Sequence, residues 1–239
     1  MEKNNLAVNL IKEPFVEPVR IGLCKRPNIL RKLRPAILSA ILTLFSFSVL
    51  ALEITSENAK YLEITKKDVV FGDRNAPNVV VEYFSLTCFH CALFYEKLYP
   101  AIKNQFIDSG KVKWVKRLFI TDQRSMAGGL LLECKKQNLD DYTKFLTILL
   151  AKQEVWVTGK NYLEVLKNIA KLSGMSAEQI NQCLANSENS QMLTQQTMDA
   201  SKKLGMKATP SFFFNGKLIT DGITLEKLDS LVSKAQTSR

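Results

Sequence analysis

The sequence predicts an α/β domain interrupted by a block of helices, and three observations support this fold class. Within residues 78–118 a strand, a helix and a second strand follow one another, as in a parallel βαβ unit. From 124 to 203, apolar residues recur at three- and four-residue steps, which is typical of helices. The chain closes with a β-hairpin at 211–219 and an amphipathic helix.

The βαβ unit is predicted element by element. Residues 78–84 are mostly apolar and indicate a buried strand, which a short strand or turn at 69–72 precedes. The helix after this strand should be interrupted at Pro100, because proline has no N–H to donate, and should resume through 107. Residues 112–118 predict a second strand, parallel to the first.

The later elements carry capping and turn signals. Ser176 and Gln179 have the spacing of a helix capping box. Asn215-Gly216 is a favoured two-residue hairpin turn, and Thr224 is a candidate N-cap for the last helix.

The segment Cys88-Phe89-His90-Cys91, between the first strand and its helix, carries the candidate chemistry. Two cysteines at this spacing can close a disulfide, and a thiolate at a helix N-terminus is stabilised by free N–H groups and the helix dipole. A structural disulfide, two buried thiols and half of a zinc site are the alternatives. His90 is the only histidine of the chain, and Ala92 stands where c-type haem attachment needs histidine.

Length and charge narrow the function classes. The 239 residues suffice for one well-packed domain with an extension. The net charge is +10, but residues 1–51 hold eight basic and three acidic residues and so carry half of the excess. The remaining lysines are scattered, which is typical of a solvated surface and does not indicate nucleic-acid binding.

The N-terminal region predicts export. A basic leader at 1–34 precedes an uncharged apolar segment at 35–52, the pattern of a signal peptide. The segment is also nearly long enough to be retained as a membrane anchor, and both alternatives stay open. Either places the following residues across the membrane, with membrane contact only through the N-terminal segment. Residues 53–65 are expected to be a tether.

Export changes how the five cysteines are interpreted. Cys24 would stay in the leader, which leaves four cysteines in an oxidising compartment. Cys134 and Cys183 are therefore candidates for a second, structural disulfide. Two separate buried thiols are the alternative.

Two separated motifs resemble the DsbA-like thiol:disulfide oxidoreductases. Val81-Glu82-Tyr83-Phe84-Ser85-Leu86-Thr87-Cys88-Phe89-His90-Cys91 matches the redox motif of that family, and Ala208-Thr209-Pro210-Ser211-Phe212-Phe213-Phe214-Asn215-Gly216 matches its cis-proline loop. The resemblance covers about residues 66–235. It implies a thioredoxin fold with a helical insertion at about 124–203, a periplasmic location, and reoxidation by a quinone-linked membrane oxidase.

Six residues are candidates for the site. Cys88 should be the exposed sulfur: its thiolate attacks disulfides, and in the oxidised pair it is the sulfur that a substrate thiolate attacks. Cys91, one turn further in, should resolve mixed disulfides. His90 can donate to or charge-stabilise the Cys88 thiolate; the alternative is an exposed histidine without a role. No cofactor or metal ion is expected.

The other candidates depend more on the resemblance. If the Glu82 side chain is buried beneath the disulfide, it could relay the proton of Cys91. The alternative is that the alternation of side chains along the strand points Glu82 at solvent. Thr209-Pro210 is expected to be cis and to pair with an extended substrate, although a trans proline is the alternative suggested by the residues alone.

Three functions are compatible with these residues. The first is an exported oxidase that passes its disulfide to reduced, folding exported proteins. The second is an isomerase or reductase with the same site, because Phe89 and Thr209 depart from the usual DsbA residues, proline and valine. The third is a metal-binding module that uses Cys88, His90 and Cys91.

Overall fold

The structure, a computed structural model, describes residues 56–237. The predicted leader at 1–34 and the apolar segment at 35–52 lie outside the described residues. Among the helices within 56–237, none is long and apolar enough to cross a membrane.

The described chain alternates strands and helices before and after a long helical stretch. The strands are β1 Val69–Phe71, β2 Asn78–Phe84, β3 Val112–Leu118, β4 Ser211–Phe214 and β5 Lys217–Leu218. The helices are α1 Ser56–Ala59, α2 Phe89–Lys97, α3 Tyr99–Ile102, α4 Gln123–Glu133, α5 Leu139–Ala151, α6 Gln153–Thr158, α7 Tyr162–Leu172, α8 Ala177–Leu184, α9 Ser187–Lys202 and α10 Leu225–Thr237. A 3₁₀ turn, Lys60–Leu62, follows α1, and a π-helical turn, Lys103–Ile107, follows α3.

The five strands form one sheet in the order β1-β3-β2-β4-β5. β2 is parallel to β3, with Glu82 opposite Lys116, and antiparallel to β4, with Tyr83 opposite Ser211. Helices α4 to α9 lie between β3 and β4 in the chain. The predicted α/β fold with inserted helices is therefore confirmed.

Local sequence signals account for where several elements begin and end. α2 ends at Lys97, and Pro100 lies in the first turn of the short α3, as the predicted interruption requires. The capping box of Ser176 and Gln179 is confirmed at the start of α8. The Thr224 hydroxyl accepts a hydrogen bond from the N–H of Lys227, as expected of an N-cap.

The turn between β4 and β5 ties the hairpin to the centre of the sheet. Asn215 and Gly216 both have positive φ angles, 46° and 84°, as a tight two-residue hairpin requires. The Asn215 side-chain oxygen accepts from the N–H of Val79 at 2.9 Å, and its own N–H donates to the Val79 carbonyl at 2.9 Å. This turn therefore extends the pairing of β4 with β2.

Both faces of the sheet are covered. Val80 and Phe84 of β2 face the larger core cluster, which includes residues of α2 and of the inserted helices. Val81 and Tyr83 face a smaller cluster with Ala200 of α9. Because side chains alternate along a strand, every side chain in the middle of β2 enters one of these two cores.

A disulfide joins two of the inserted helices. Cys134, directly after α4, is bonded to Cys183 of α8. The two residues are 49 apart in the chain, and a loop of this length is stabilised by about 2–4 kcal/mol on the chain-entropy model.

The segment before β1 packs against the domain where a tether was expected. Leu62 is buried, and the buried side chain of Arg117 in β3 is hydrogen-bonded to this segment. The Arg117 guanidinium donates to both carboxylate oxygens of Asp68, at 2.7 and 2.9 Å, and to the carbonyls of Tyr61 and Glu63. Burial would raise the pKa of Asp68, but these contacts outweigh it and hold that pKa below its ordinary value.

Replacing Arg117 by alanine should lower the free energy of unfolding by about 3–5 kcal/mol, because Asp68 would become a buried charge without its partner. Urea unfolding measures this. The matched control is Lys97→Ala, which removes an ion pair whose two side chains are both exposed. This variant should lower the free energy of unfolding by less than about 1 kcal/mol. Equal costs for the two variants would contradict the assignment.

Candidate redox-active site

The two cysteines of the motif occupy the first turn of α2. β2 ends at Phe84, and Cys88 is the N-cap of α2, with an extended backbone. The Cys88 carbonyl accepts the first helical hydrogen bonds, from the N–H groups of Cys91 and Ala92. Cys88 is half-buried and Cys91 is buried, and both are free thiols in this structure.

The position of Cys88 favours its thiolate. Its pKa is lowered to about 5. The largest cause of the lowered pKa is the hydrogen bond that the Cys91 thiol donates to the Cys88 sulfur, and burial acts in the opposite direction. Contacts with the Thr209 side chain and with the backbone N–H groups of Cys91 and His90 lower the pKa further. Cys88 is therefore predominantly ionised at neutral pH and is the more nucleophilic sulfur.

Cys91 has the opposite character. Burial raises its pKa, and the neighbouring Cys88 raises it further by hydrogen bonding and by charge. The N–H of Ser85 donates to its sulfur at 3.4 Å. Cys91 thus stays a thiol while Cys88 is a thiolate, which matches the division between an attacking and a resolving cysteine.

The structure brings Thr209 and Pro210 next to the cysteines. The peptide bond between them is cis. In its protonated form, the Cys88 thiol donates to the backbone carbonyl of Thr209, with sulfur and oxygen 3.1 Å apart. Thr209 and Pro210 are only partly buried, so this loop is accessible beside the reactive sulfur.

His90 lies beside the site but faces solvent. Its ring is exposed and packs edge-on against the ring of Phe89, with the centroids 5.7 Å apart. The backbone N–H of His90 is among the groups that lower the pKa of Cys88. A role for the imidazole itself stays a prediction.

The Glu82 side chain is buried, so the alternative that it faces solvent is wrong. Its side chain lies on the face of β2 that α2 and the inserted helices cover, and it is 2% exposed. The carboxylate accepts hydrogen bonds from the indole N–H of Trp114, at 2.7 Å, and from the ammonium of Lys116. Its relay of the Cys91 proton stays a prediction.

Lys116 is a candidate residue that the sequence analysis missed. Its side chain is 1% exposed, and its ammonium lies 4.2 Å from the ring centroid of Tyr99. Burial lowers the pKa of Lys116, while the negative charge of Glu82 and its hydrogen bond to the ammonium oppose the change. Opposite charges at paired positions of two adjacent strands were the available signal, once the strand register was known.

Side chains from the inserted helices hold the loop before Cys88. The Gln153 amide donates to the carbonyls of Leu86, at 2.8 Å, and Cys88, at 3.0 Å. Thr87 donates to the carboxylate of Asp122, the N-cap of α4, at 2.7 Å. Sequence reasoning missed Gln153 and Asp122, because their partners are backbone groups and loop residues far away in the chain.

Within residues 56–237, no group of three or more His, Cys, Asp or Glu side chains is placed to hold a metal ion.

Comparisons with known proteins agree with the geometry. A family model described as Thioredoxin matches residues 64–234. The crystal structure of Wolbachia pipientis alpha-DsbA1 superposes with a TM-score of 0.67 at 30% identity, covering 76% of this chain and 98% of that one. The chain belongs to the DsbA-like branch of the thioredoxin family.

Other relatives of this DsbA-like protein carry related names. "Putative protein-disulfide oxidoreductase RT0103" of Rickettsia typhi is 33% identical over 173 residues, 72% of this chain and 63% of that protein. The DsbA-like chain therefore spans less than two thirds of that relative. "Disulfide bond formation protein D" of Bacillus subtilis is 26% identical over 175 residues, covering 71% of this chain and 77% of that protein.

The ionisation of Cys88 gives a pH prediction. Alkylation of reduced Cys88 by iodoacetamide, followed site by site by mass spectrometry, should be half-maximal near pH 5. In the protein unfolded in urea the midpoint should return to about 8.5, the ordinary value of a thiol. The same midpoint in both states would contradict the assignment.

The same shift links pH to stability of the reduced protein. Because the folded-state pKa is depressed, ionised Cys88 contributes its full stabilisation above the unfolded pKa of about 8.5, and the contribution is lost as the pH falls from about 8.5 to about 5.

A double-mutant cycle should test the buried pair of Glu82 and Lys116. Lys116→Met should lower the free energy of unfolding by about 3–5 kcal/mol, because it leaves the Glu82 carboxylate buried without its cation. Adding Glu82→Gln should restore most of the loss. The control Lys103→Met removes an ion pair that is about half exposed and should cost less than about 1 kcal/mol. Simple additivity of the two buried substitutions would show that they do not interact.

Proposed function

We propose that this protein is an exported thiol:disulfide oxidoreductase that donates a Cys88–Cys91 disulfide to reduced, folding proteins. The observation that carries the proposal is the asymmetry of the pair: a half-buried Cys88 whose pKa is about 5, beside a buried Cys91 whose pKa is raised. The name of the Bacillus subtilis relative, disulfide bond formation protein D, supports the same class of reaction.

The reaction proceeds in two exchanges. A substrate thiolate attacks the Cys88 sulfur of the disulfide, forms a mixed disulfide, and releases Cys91, which takes up a proton because its thiol form is favoured. A second substrate thiolate then attacks the substrate sulfur and expels Cys88 as a thiolate. The substrate loses two electrons and two protons; Cys91 keeps one proton and solvent receives the other.

The low pKa of Cys88 favours this direction. A stable thiolate stabilises the reduced protein and makes the disulfide a stronger oxidant. It also makes Cys88 a good leaving group in the second exchange, because thiols of lower pKa leave faster.

The neighbouring residues have supporting roles in the proposal. Glu82 relays a proton that originates in solvent to Cys91 as that sulfur leaves, so the carboxylate is ionised again after the step, and Lys116 holds it beneath the site. The backbone around Thr209 and Pro210 pairs with an extended substrate segment. The imidazole of His90, which is exposed beside the site, donates a hydrogen bond to the Cys88 thiolate.

Two further parts of the proposal concern the cellular setting. Export to the periplasm rests on the leader at 1–34 and the apolar segment at 35–52, either as a cleaved signal or as a retained anchor. Reoxidation by a quinone-linked membrane oxidase rests on the family resemblance.

An isomerase or reductase role is the second candidate. It is favoured by the residue type at Thr209, which precedes the cis-proline where valine is usual in DsbA proteins. The contact of Thr209 with Cys88 is not an argument for this role, because it lowers the pKa of Cys88 and so makes the disulfide a stronger oxidant.

The reduction potential of the Cys88–Cys91 pair, measured in glutathione buffers, decides between the two candidates. A value near −120 mV, about that of DsbA, is expected, and a value near −270 mV, about that of thioredoxin, would support the reductase role instead. Above pH 5 the potential should fall by about 30 mV per pH unit, since reduction then takes up one proton for two electrons. A slope of about 59 mV per unit at neutral pH would mean that both thiols are protonated there.

A further inference from the structure

A groove of about 690 Å³ begins beside the reactive cysteine. One wall is a stripe of α2 formed by Phe89, Ala92, Leu93 and Glu96, which lie at the three- and four-residue spacing of one helix face. The other wall consists of Leu150 and Ala151 of α5 together with Glu154 of α6. This groove lies between α2 and the inserted helices, and Thr209 and Pro210 do not line it.

The groove is joined to the site through its end residues. Phe89 follows Cys88 directly in the chain, and Gln153, which also lines the groove, donates to the Cys88 carbonyl. Further along, the Tyr95 hydroxyl bonds the Thr147 hydroxyl at 3.0 Å and so links the two walls. A polypeptide whose sulfur reaches Cys88 can therefore continue along the groove.

The walls expose apolar surface at the end nearest Cys88. Phe89 is 67% exposed and Leu93 is 40% exposed, the two lying one helical turn apart. Large apolar side chains exposed in a concave surface mark contact sites for apolar groups.

The charged side chains that line the groove are both carboxylates. Glu96 pairs with Lys97 at 2.6 Å, but both side chains are about two-thirds exposed, so this pair is weak. Glu154 has no ion-pair partner among the described residues. An acidic groove on a chain whose net charge is +10 selects for basic groups.

We infer that this groove binds an extended segment of the substrate protein, with an apolar side chain next to the substrate cysteine on Phe89 and Leu93 and a Lys or Arg side chain at Glu154. The inference rests on the proposed function and deepens it, since it names the substrate class: reduced polypeptides whose cysteines have apolar and basic neighbours. It also makes Phe89 and Glu154 specificity-determining residues.

The test uses the full-length chain with Cys24→Ser and Cys91→Ser. With Cys134 and Cys183 bonded to each other, Cys88 is then the one free thiol. The substrates are peptides that contain one cysteine, followed by phenylalanine, and the cysteine is activated as a mixed disulfide with thionitrobenzoate. The Cys88 thiolate attacks the peptide sulfur and thionitrobenzoate leaves. The absorbance of the released thionitrobenzoate gives the rate. Each rate is divided by that of the same variant with the mercaptoethanol mixed disulfide, which corrects for intrinsic reactivity.

Three peptides share the same central sequence and differ only at their ends: each end carries two lysines in the first peptide, two serines in the second and two glutamates in the third. The Lys peptide should react about 2- to 5-fold faster than the Glu peptide at low ionic strength, as expected for a solvent-exposed ion pair, and salt should reduce the ratio. Glu154→Lys should reverse the order. Glu178→Lys, on an exposed position of α8 outside the groove, changes the net charge equally and should preserve the order.

A fourth peptide replaces the phenylalanine by glycine. It should react about 5- to 10-fold more slowly, in proportion to the apolar area that it no longer buries. Phe89→Ser should remove most of that difference.

Equal peptide rates, or the same order in Glu154→Lys and Glu178→Lys, would overturn the groove assignment while leaving the proposed function intact. This exchange does not depend on the direction of electron flow, so a thioredoxin-like potential would overturn the oxidase proposal and not the groove. A Cys88 that is inert even to the mercaptoethanol reagent would overturn both.

Discussion

The pairing of β2 with both of its neighbours determines where every candidate site residue lies. β2 runs parallel to β3 and antiparallel to β4, so the end of β2 and the start of β4 meet at one edge of the sheet. Cys88 follows β2 and Thr209 precedes β4, which brings together two residues that are 121 apart in the chain. The same register places Glu82 opposite Lys116 beneath them.

The chemical difference between the two cysteines follows from one turn of helix. Cys88, at the N-cap, lies against the backbone N–H groups of His90 and Cys91 in the first helical turn. Cys91, three residues later, faces inward and loses contact with water. A single hydrogen bond between the two thiols then stabilises charge on one sulfur and opposes it on the other. The difference between the two sulfurs therefore arises from their positions in the first turn of α2.

Signals that are local in the sequence predicted most of the fold. The strand before the cysteines, the interruption at Pro100, the Asn215-Gly216 turn and the helical periodicity of the insertion each depend on residues close together in the chain. The family motifs likewise pointed to Cys88, Cys91 and Pro210. The insertion of helices between β3 and β4 needed only the order of these signals.

Features that depend on distant contacts were not predictable in the same way. Alternation along β2 could not say whether Glu82 meets solvent, because this depends on the helices that cover that face. Lys116 resembles any polar strand residue until the register with β2 is known. The segment at 56–62 has little apolar periodicity, and its docking depends on Arg117, which lies more than 50 residues away.

Gln153 and Arg117 both fix distant segments of the chain by donating hydrogen bonds to backbone carbonyls, and this has an evolutionary consequence. Gln153 holds the carbonyls of Leu86 and Cys88, and Arg117 holds those of Tyr61 and Glu63. Carbonyl groups are present whatever the side chain, so substitutions at these four positions leave these hydrogen bonds available. The side chains of Phe89 and His90 are exposed and make none of these hydrogen bonds, so the dipeptide between the cysteines can also diverge among descendants of this protein, and change its chemistry, without loss of the scaffold that positions it.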